Sequence, residues 1–290
     1  MAAEEYYVYT GGVVPPDVTR VRIDESIKVI PAFAFKGHRN IAELYCQVGV
    51  KKVREFAFCG CPSLRLVIMP GVKEIERNVF GGCEALTDVE CGKLEIIGES
   101  AFGSCISLRS INLPSAKIVH GGAFINCTAL TNVKFAKELI SIRMRAFAHC
   151  TSLERITIPL KDGMITRDDI FQRCEKMKHV NLVEGVHEII AALLLEEWRK
   201  DMNEEIASIN QILPITPAGN YSHQDVGRKG QEVRLWIRSV LHKIDHYKAE
   251  HRRYLNEAAT TLQLALPSEI VLKNVLPFLE LPSYTFQGED

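Results

Sequence analysis

A phenylalanine recurs through the first two-thirds of the chain, as Phe35, Phe58, Phe80, Phe102, Phe124, Phe147 and Phe171, at spacings of 23, 22, 22, 22, 23 and 24 residues. Each one brings its neighbours. The unit Ala-Phe-x-x-Cys-x-x-Leu-x-x-Ile reads AFKGHRNIAEL at 34–44, AFCGCPSLRLV at 57–67, VFGGCEALTDV at 79–89 and AFGSCISLRSI at 101–111. It continues as AFINCTALTNV at 123–133, AFAHCTSLERI at 146–156 and IFQRCEKMKHV at 170–180. A unit this short cannot bury its own apolar face. Copies must stack, so that neighbours share one continuous core.

Parity within the unit places the walls. Leu64, Val67 and Met69 match Leu108, Ile111 and Leu113, and then Leu153, Ile156 and Ile158. The last two of each set are two apart and share one face of a short strand. Pro70, Pro114 and Pro159 follow directly and end the ladder, because proline has no N–H to donate. A second apolar pair precedes each phenylalanine (Val50/Val53, Val72/Ile75, Leu94/Ile97, Leu139/Ile142) and should face inward from the convex wall. Val18, Val21 and Ile23 supply a strand for an incomplete first repeat. Each buried phenylalanine should contribute roughly 1.5–3 kcal/mol by area.

The Ala-Phe-x-x-Cys-x-x-Leu core resembles the BspA-like class of leucine-rich repeats, over about 27–182. The resemblance implies an α/β leucine-rich-repeat solenoid, a parallel strand stack with short helical turns. It implies an adhesive or scaffold module with no shared catalytic residue. Two end repeats depart from the pattern. His38 stands at the first cysteine position, and Ile170 and Met177 replace the last alanine and leucine. Terminal repeats are commonly atypical because they cap the stack.

Six of nine cysteines, Cys61, Cys83, Cys105, Cys127, Cys150 and Cys174, occupy one repeat position; Cys46 and Cys91 sit at the strand position of Met69, and Cys59 lies outside the pattern. This reads as a column of small buried hydrophobes. The odd total and the absence of Cys-x-x-Cys argue against a disulfide framework or a zinc ribbon. His187-Glu188 begins like a zinc-protease helix, but Ala191 stands where the second histidine must be. His242, His246 and Glu250 share a helix face, which reads as a solvated polar face. No phosphate-binding glycine loop or Gly-x-Ser-x-Gly elbow is present. The expectation is no enzyme, no cofactor and no metal.

Net charge is −1, which exerts no global pull on nucleic acid or anionic membrane. Met1 to Thr10 lacks the basic and apolar regions of a secretory signal, and no apolar run approaches the ~18–20 residues that span a bilayer. The chain is therefore expected to be soluble and cytoplasmic. The sequons at Asn126 and Asn220 then carry no meaning.

After Leu182 the period changes. Ile190, Leu194, Trp198, Met202, Ile206, Ile209 and Leu213 recur every three or four residues, as in an amphipathic helix covering the solenoid's open end. Val233, Ile237, Val240, Ile244, Tyr247, His251, Tyr254 and Ala258 form a heptad seam on a second helix over 231–264. Acids dominate 187–213 and bases dominate 231–257. The two helices can pair as a long antiparallel hairpin; alternatively the seam pairs with a second copy. Leu266, Pro267, Ile270, Val275, Phe278 and Leu279 resemble the opening of an F-box, in a segment shorter than a complete one. The divisions expected are 1–185 solenoid with N-terminal cap, 186–213 capping helix, 214–230 flexible linker, and 231–290 long helix with a short C-terminal helix.

By the period-two rule, strand residues between the inward positions point off the concave face. One such row holds Tyr45, Ile68, Glu90, Asn112, Lys134, Thr157 and Asn181. The row beside it holds Glu43, Leu66, Asp88, Ser110, Asn132, Arg155 and His179. The candidate partner-binding residues are Glu43, Tyr45, Leu66, Ile68, Asp88, Glu90, Asn112, Lys134 and Arg155. No row is uniformly basic, which disfavours nucleic acid. Tyr45, Leu66 and Ile68 form a small apolar patch suited to a protein partner. The expected role is a protein-interaction scaffold, monomeric or homodimeric through the long helix, with no membrane partner. The alternatives are an F-box-like ubiquitin-ligase adaptor and a self-associating coiled-coil assembly protein.

Overall fold

The computed structural model describes residues 6–183, 185–215 and 228–265. In chain order the strands among them are β1 (Tyr7–Tyr9), β2 (Arg20–Ile23), β3 (Val29–Ile30), β4 (Glu43–Tyr45), β5 (Lys52–Val53), β6 (Leu66–Ile68), β7 (Glu74–Ile75) and β8 (Asp88–Glu90). They continue as β9 (Ile96–Ile97), β10 (Ser110–Leu113), β11 (Ile118–Val119), β12 (Asn132–Phe135), β13 (Ser141–Ile142), β14 (Arg155–Ile158) and β15 (His179–Leu182). The helices are α1 (Val186–Ala191), α2 (Glu196–Ile215) and α3 (Arg228–Ala265). The chain is a solenoid of stacked parallel strands followed by a helical hairpin.

Each repeat from β2 to β13 gives one strand to each of two walls, and beyond β13 only a bridge from Ile142 to Ile165 continues the second. The concave wall runs β1-β2-β4-β6-β8 and then β10-β12-β14-β15; the opposite wall runs β3-β5-β7-β9-β11-β13. Register holds the inward residues in level: Val21, Leu44, Val67 and Val89 pair in turn, as do Ile111, Val133, Ile156 and Val180. The second apolar pair, read as facing inward, lies against a second sheet of two-residue strands. Ile30, Val53, Ile75, Ile97, Val119 and Ile142 are its fully buried members.

Between the walls the seven phenylalanines stack, with consecutive ring centroids 4.6–5.8 Å apart. That spacing matches the ~4.8 Å between paired strands, so one ring per strand fills the interior without a gap. Tyr9 closes the N-terminal end of the column, 4.7 Å from Phe35. Its strand β1 adds a row to the concave wall ahead of β2, a feature no repeat motif marks.

The cysteine column is a hydrogen-bond ladder. Each thiol donates to the carbonyl of the core phenylalanine one repeat back: Cys61 to Phe35, Cys83 to Phe58, Cys105 to Phe80, Cys127 to Phe102, Cys150 to Phe124 and Cys174 to Phe147, at 3.0–3.2 Å. A thiol combines an apolar body with a weak donor, which suits a dry position beside a carbonyl lone pair. His38, at the same position in the first repeat, reaches instead to the carbonyl of Pro15, 2.7 Å from Nε2.

All nine cysteines are free thiols, and only Cys59 is not buried. Burial pushes the Cys61 and Cys174 thiols up to about 12, and raises those of Cys83, Cys105 and Cys150 as well. Alkylation of the native protein is therefore expected to modify Cys59 alone, and alkylation after unfolding all nine. Intact-mass measurement counts both; a second thiol reacting at the rate of Cys59 in the native state would break the ladder assignment.

Turns, rather than helices, join the two walls, apart from one 3-10 turn at Asp168–Phe171. The reason is local. The residue two ahead of each of the first six core phenylalanines is left-handed, at Phe33, Phe56, Asn78, Ser100, Gly122 and Arg145, whereas Asp169, two ahead of Phe171, lies in the 3-10 turn. The residue two after it is left-handed at Gly37, Gly60, Gly82, Ser104, Asn126, His149 and Arg173. A left-handed residue costs about 1–2 kcal/mol when it carries a Cβ. The turns are held by inter-repeat bonds such as Phe56 N–H to the Arg77 carbonyl, 3.0 Å, and Ser104 N–H to the Ile125 carbonyl, 2.7 Å.

The C-terminal end of the stack is closed by helices. Val186, Ile189 and Ile190 of α1 are buried, as are Trp198, Met202, Ile209 and Leu213 of α2. The single amphipathic helix expected from Ile190 onward is instead two, broken over 192–195. Arg199 accounts for the break. Its guanidinium donates to the Leu193 carbonyl at 2.6 Å, and Leu194 stands 44% exposed rather than on the buried stripe. Asn210 of α2 accepts the Val180 N–H at 3.0 Å and so blocks the outer edge of β15.

α3 packs antiparallel on α2. Trp198 stacks on Tyr247 at 5.2 Å, and Trp236 donates its indole N–H to the Glu205 carbonyl at 3.0 Å. Lys243 pairs with Asp201 and Glu205, both at 3.0 Å. Val233, Ile237, Val240 and Ile244 of the heptad seam are buried within the chain. The start of α3 also touches the last repeat. Lys229, 8% exposed, donates to the Met177 carbonyl at 2.9 Å and the Glu175 carbonyl at 3.2 Å, and Arg234 pairs with Asp168 at 2.6 Å. No helix among the described residues is long and apolar enough to cross a membrane. Of the linker expected over 214–230, residues 214–215 belong to α2 and 228–230 to α3; 216–227, and the F-box-like segment from Leu266, lie outside the described residues.

Candidate interaction surface

The concave rows fall as strand parity requires. Arg22, Tyr45, Ile68 and Glu90 are register partners, followed beyond β8 by Asn112, Lys134, Thr157 and Asn181. Arg20, Glu43, Leu66 and Asp88 form the second row, followed by Ser110, Asn132, Arg155 and His179. Between β8 and β10 no strand pairing forms, so the face has two halves. They differ in chemistry as well as pairing.

The N-terminal half presents Tyr45, Leu66 and Ile68 partly covered, with Asp88 and Glu90 exposed beyond them. Glu43, counted among the presented residues from parity alone, is only 6% exposed. Arg65 donates to its carboxylate at 2.7 Å, Arg20 lies at 3.2 Å, and the Tyr45 hydroxyl donates at 3.2 Å. Burial works to raise the Glu43 carboxyl, but these donors outweigh it and hold the pKa below the usual range. The Tyr45 hydroxyl, hydrogen-bonded to Tyr6, desolvated and beside that carboxylate, is pushed up to about 12. Tyr6 meets Tyr45 edge-on at 5.1 Å and lies under Arg22 at 4.7 Å. Glu43 therefore fixes the geometry of the patch, and Tyr45, Leu66 and Ile68 remain partly uncovered on its surface. Sequence parity could show which side Glu43 faces. It could not show that arginines from the repeats on both sides close over it.

The C-terminal half forms a cleft of about 870 Å³. Asn112, Lys134, Arg155, Thr157 and Asn181 line it from the sheet, and Glu188 of α1 closes one side. Three of the expected site residues thus converge in one concavity, while Tyr45, Leu66 and Ile68 stand together in the other half. Glu188 joins them without a signal in the sequence, because nothing in its local pattern ties it to the strands.

A short solenoid with an unvarying core and a varied concave face defines a leucine-rich-repeat protein. The chain matches the BspA type leucine rich repeat region in six copies, over residues 16–121 and 95–196, and belongs to that family. Proteins of such repeats generally serve as interaction or recognition scaffolds. Among solved structures it is similar to a T. pallidum leucine-rich repeat protein, at 25% identity over 57% of this chain and 86% of that one, with a TM-score of 0.48. It is also similar to a leucine-rich repeat protein from Bacteroides ovatus ATCC 8483, at 22% identity over 61% and 63% of the two chains, with a TM-score of 0.28. No match is found among curated proteins.

Proposed function

We propose that the chain is a non-catalytic recognition module that docks a protein partner on the N-terminal half of its concave face. One observation carries this reading: the repeats keep their inward residues and vary their outward ones. Inward positions are Leu44, Val67, Val89, Ile111, Val133, Ile156 and Val180, whereas the row beside them runs tyrosine, isoleucine, glutamate, asparagine, lysine, threonine, asparagine. A surface needed only for solubility has no reason to place Tyr45, Leu66 and Ile68 together. Half-covered aromatic and aliphatic groups ringed by charge are the usual anchors of a protein interface.

The free thiols support a reducing compartment, which fits a cytoplasmic site of action. Burial of the first part of the heptad seam, Val233 to Ile244, supports a monomer over a seam-mediated dimer. The test is Leu66→Glu with Ile68→Glu, compared with wild type as bait in the native cell extract. The expected result is a partner held by the wild type, lost by the double variant and kept by Asn112→Ala, with circular dichroism unchanged. Equal capture by a folded double variant would remove this half of the face as the site.

A further inference from the structure

The residue two ahead of each of the first six core phenylalanines sits in a left-handed turn, with φ of 51° at Asn78, 51° at Ser100 and 61° at Gly122. Those residues suit the conformation: glycine has no Cβ, and asparagine adopts it more readily than other side chains. Arg145, at φ 54°, departs from this pattern with a polar side chain that pairs with Asp169 at 3.4 Å, and the first two turns depart from it with aromatic ones. They place Phe33 at φ 62° and Phe56 at φ 56°, bulky residues for which this backbone is a true outlier. The core does not ask for them. Phe35 and Phe58 already fill the buried column, while Phe33 is 49% exposed. Strain kept at a position with no packing need points to function.

The surroundings indicate what would bind. The two rings stack on each other, centroids 5.3 Å apart and 3° from parallel, so their facing surfaces are occupied. Ring edges carry the positive end of the aromatic quadrupole and attract anionic oxygens. Lys36 Nζ lies 5.3 Å from one ring and 5.5 Å from the other, and the Arg77 guanidinium lies 6.0 Å from Phe56. Lys36, Arg54 and Arg77 are exposed, and none has an ion pair among the described residues. The neighbouring acids Glu74 and Glu76 are both held by Lys52, at 2.9 and 2.6 Å. Glu55 is an exposed carboxylate in the same turn, outnumbered by these cations.

We propose that Phe33 and Phe56, with Lys36 and Arg77, form a second docking point, on the turns rather than the concave strands, for an acidic protein segment that also carries an apolar side chain. The carboxylates meet the cations and ring edges; the apolar group covers the exposed aromatic surface. Cys59 adjoins the site, since its N–H donates to the Phe56 carbonyl at 3.2 Å, and it is the cysteine that is not buried.

The experiment uses the full chain and a short fluorescein-labelled peptide of Asp, Glu and Leu, followed by anisotropy. The key variant is Phe33→Asn with Phe56→Asn, patterned on Asn78. The expected result has four parts. The peptide binds, and more weakly as salt rises; it slows alkylation of Cys59; the variant weakens it roughly tenfold or more; and the variant melts no earlier than wild type. Leu66→Glu with Ile68→Glu should leave this binding unchanged, which separates it from the concave reading. Failure of the peptide to bind, unchanged affinity in the variant, or an earlier melt that makes the rings structural would each overturn the proposal. So would binding of oligothymidine in place of the peptide, or a dimer of the chain that the variant dissolves.

Discussion

Phe102→Ala is expected to lower the free energy of unfolding by about 3–5 kcal/mol, the sum of lost apolar transfer and an unfilled cavity. Phe102 is fully buried, and its ring lies 5.4 Å from Phe80 and 5.2 Å from Phe124. Neither neighbour can move into the gap, because each is held in its turn by its own N–H, to the Ala101 carbonyl at 2.7 Å for Phe80 and the Ala146 carbonyl at 2.8 Å for Phe124, and its carbonyl already accepts the thiol of the repeat ahead. In a stack where each repeat contacts only its neighbours, such a loss weakens two interfaces at once. Urea titration followed by far-ultraviolet circular dichroism measures it. A midpoint equal to that of wild type would mean the column does not carry the core.

Gly230→Val is expected to lift α3 from the last repeat. A Cβ at this position would collide with the backbone carbonyl of Asp168, an atom fixed in the 3-10 turn that cannot give as a flexible side chain could. Overpacking of this kind costs about 1–3 kcal/mol. The displacement would also loosen the bonds of Lys229 to Met177 and Glu175 and the pair between Arg234 and Asp168. The chain has two tryptophans, Trp198 and Trp236, and both lie in the hairpin. Their fluorescence thus reports the arm, while circular dichroism is weighted by the whole. The expected outcome is an earlier fluorescence transition and faster proteolysis within α3, with the solenoid transition little changed. Coincident transitions at the wild-type midpoint would show that this contact does not seat the arm.

The two predictions draw on different levels of information. The phenylalanine column is readable in the chain because stacking repeats the same local environment, so the same residue solves the same problem every 22–24 positions. The contact of Gly230 with Asp168 occurs once, between residues far apart in sequence, and no period announces it. Glu43 is intermediate. Alternation placed it on the concave face, where it does lie, but Arg20 and Arg65 reach it from 23 and 22 residues away and bury it.

The division between sequence and tertiary structure follows from this. Periodicity by itself determined the stacking, the inward and outward rows, the cysteine column and the amphipathic character of both long helices. These are consequences of side-chain spacing along one strand or helix, and spacing is written in the chain. Only the tertiary structure decided the second sheet, the left-handed turns that seat Phe33 and Phe56, the thiol-to-carbonyl ladder, the break before α2 and the docking of α3. Each depends on what a neighbouring repeat or a distant helix offers: a carbonyl to accept a thiol, a backbone to rest against, a guanidinium to close over a carboxylate. A two-residue strand such as Lys52–Val53 has no pattern of its own, and becomes a strand because Val29–Ile30 and Glu74–Ile75 lie on either side of it.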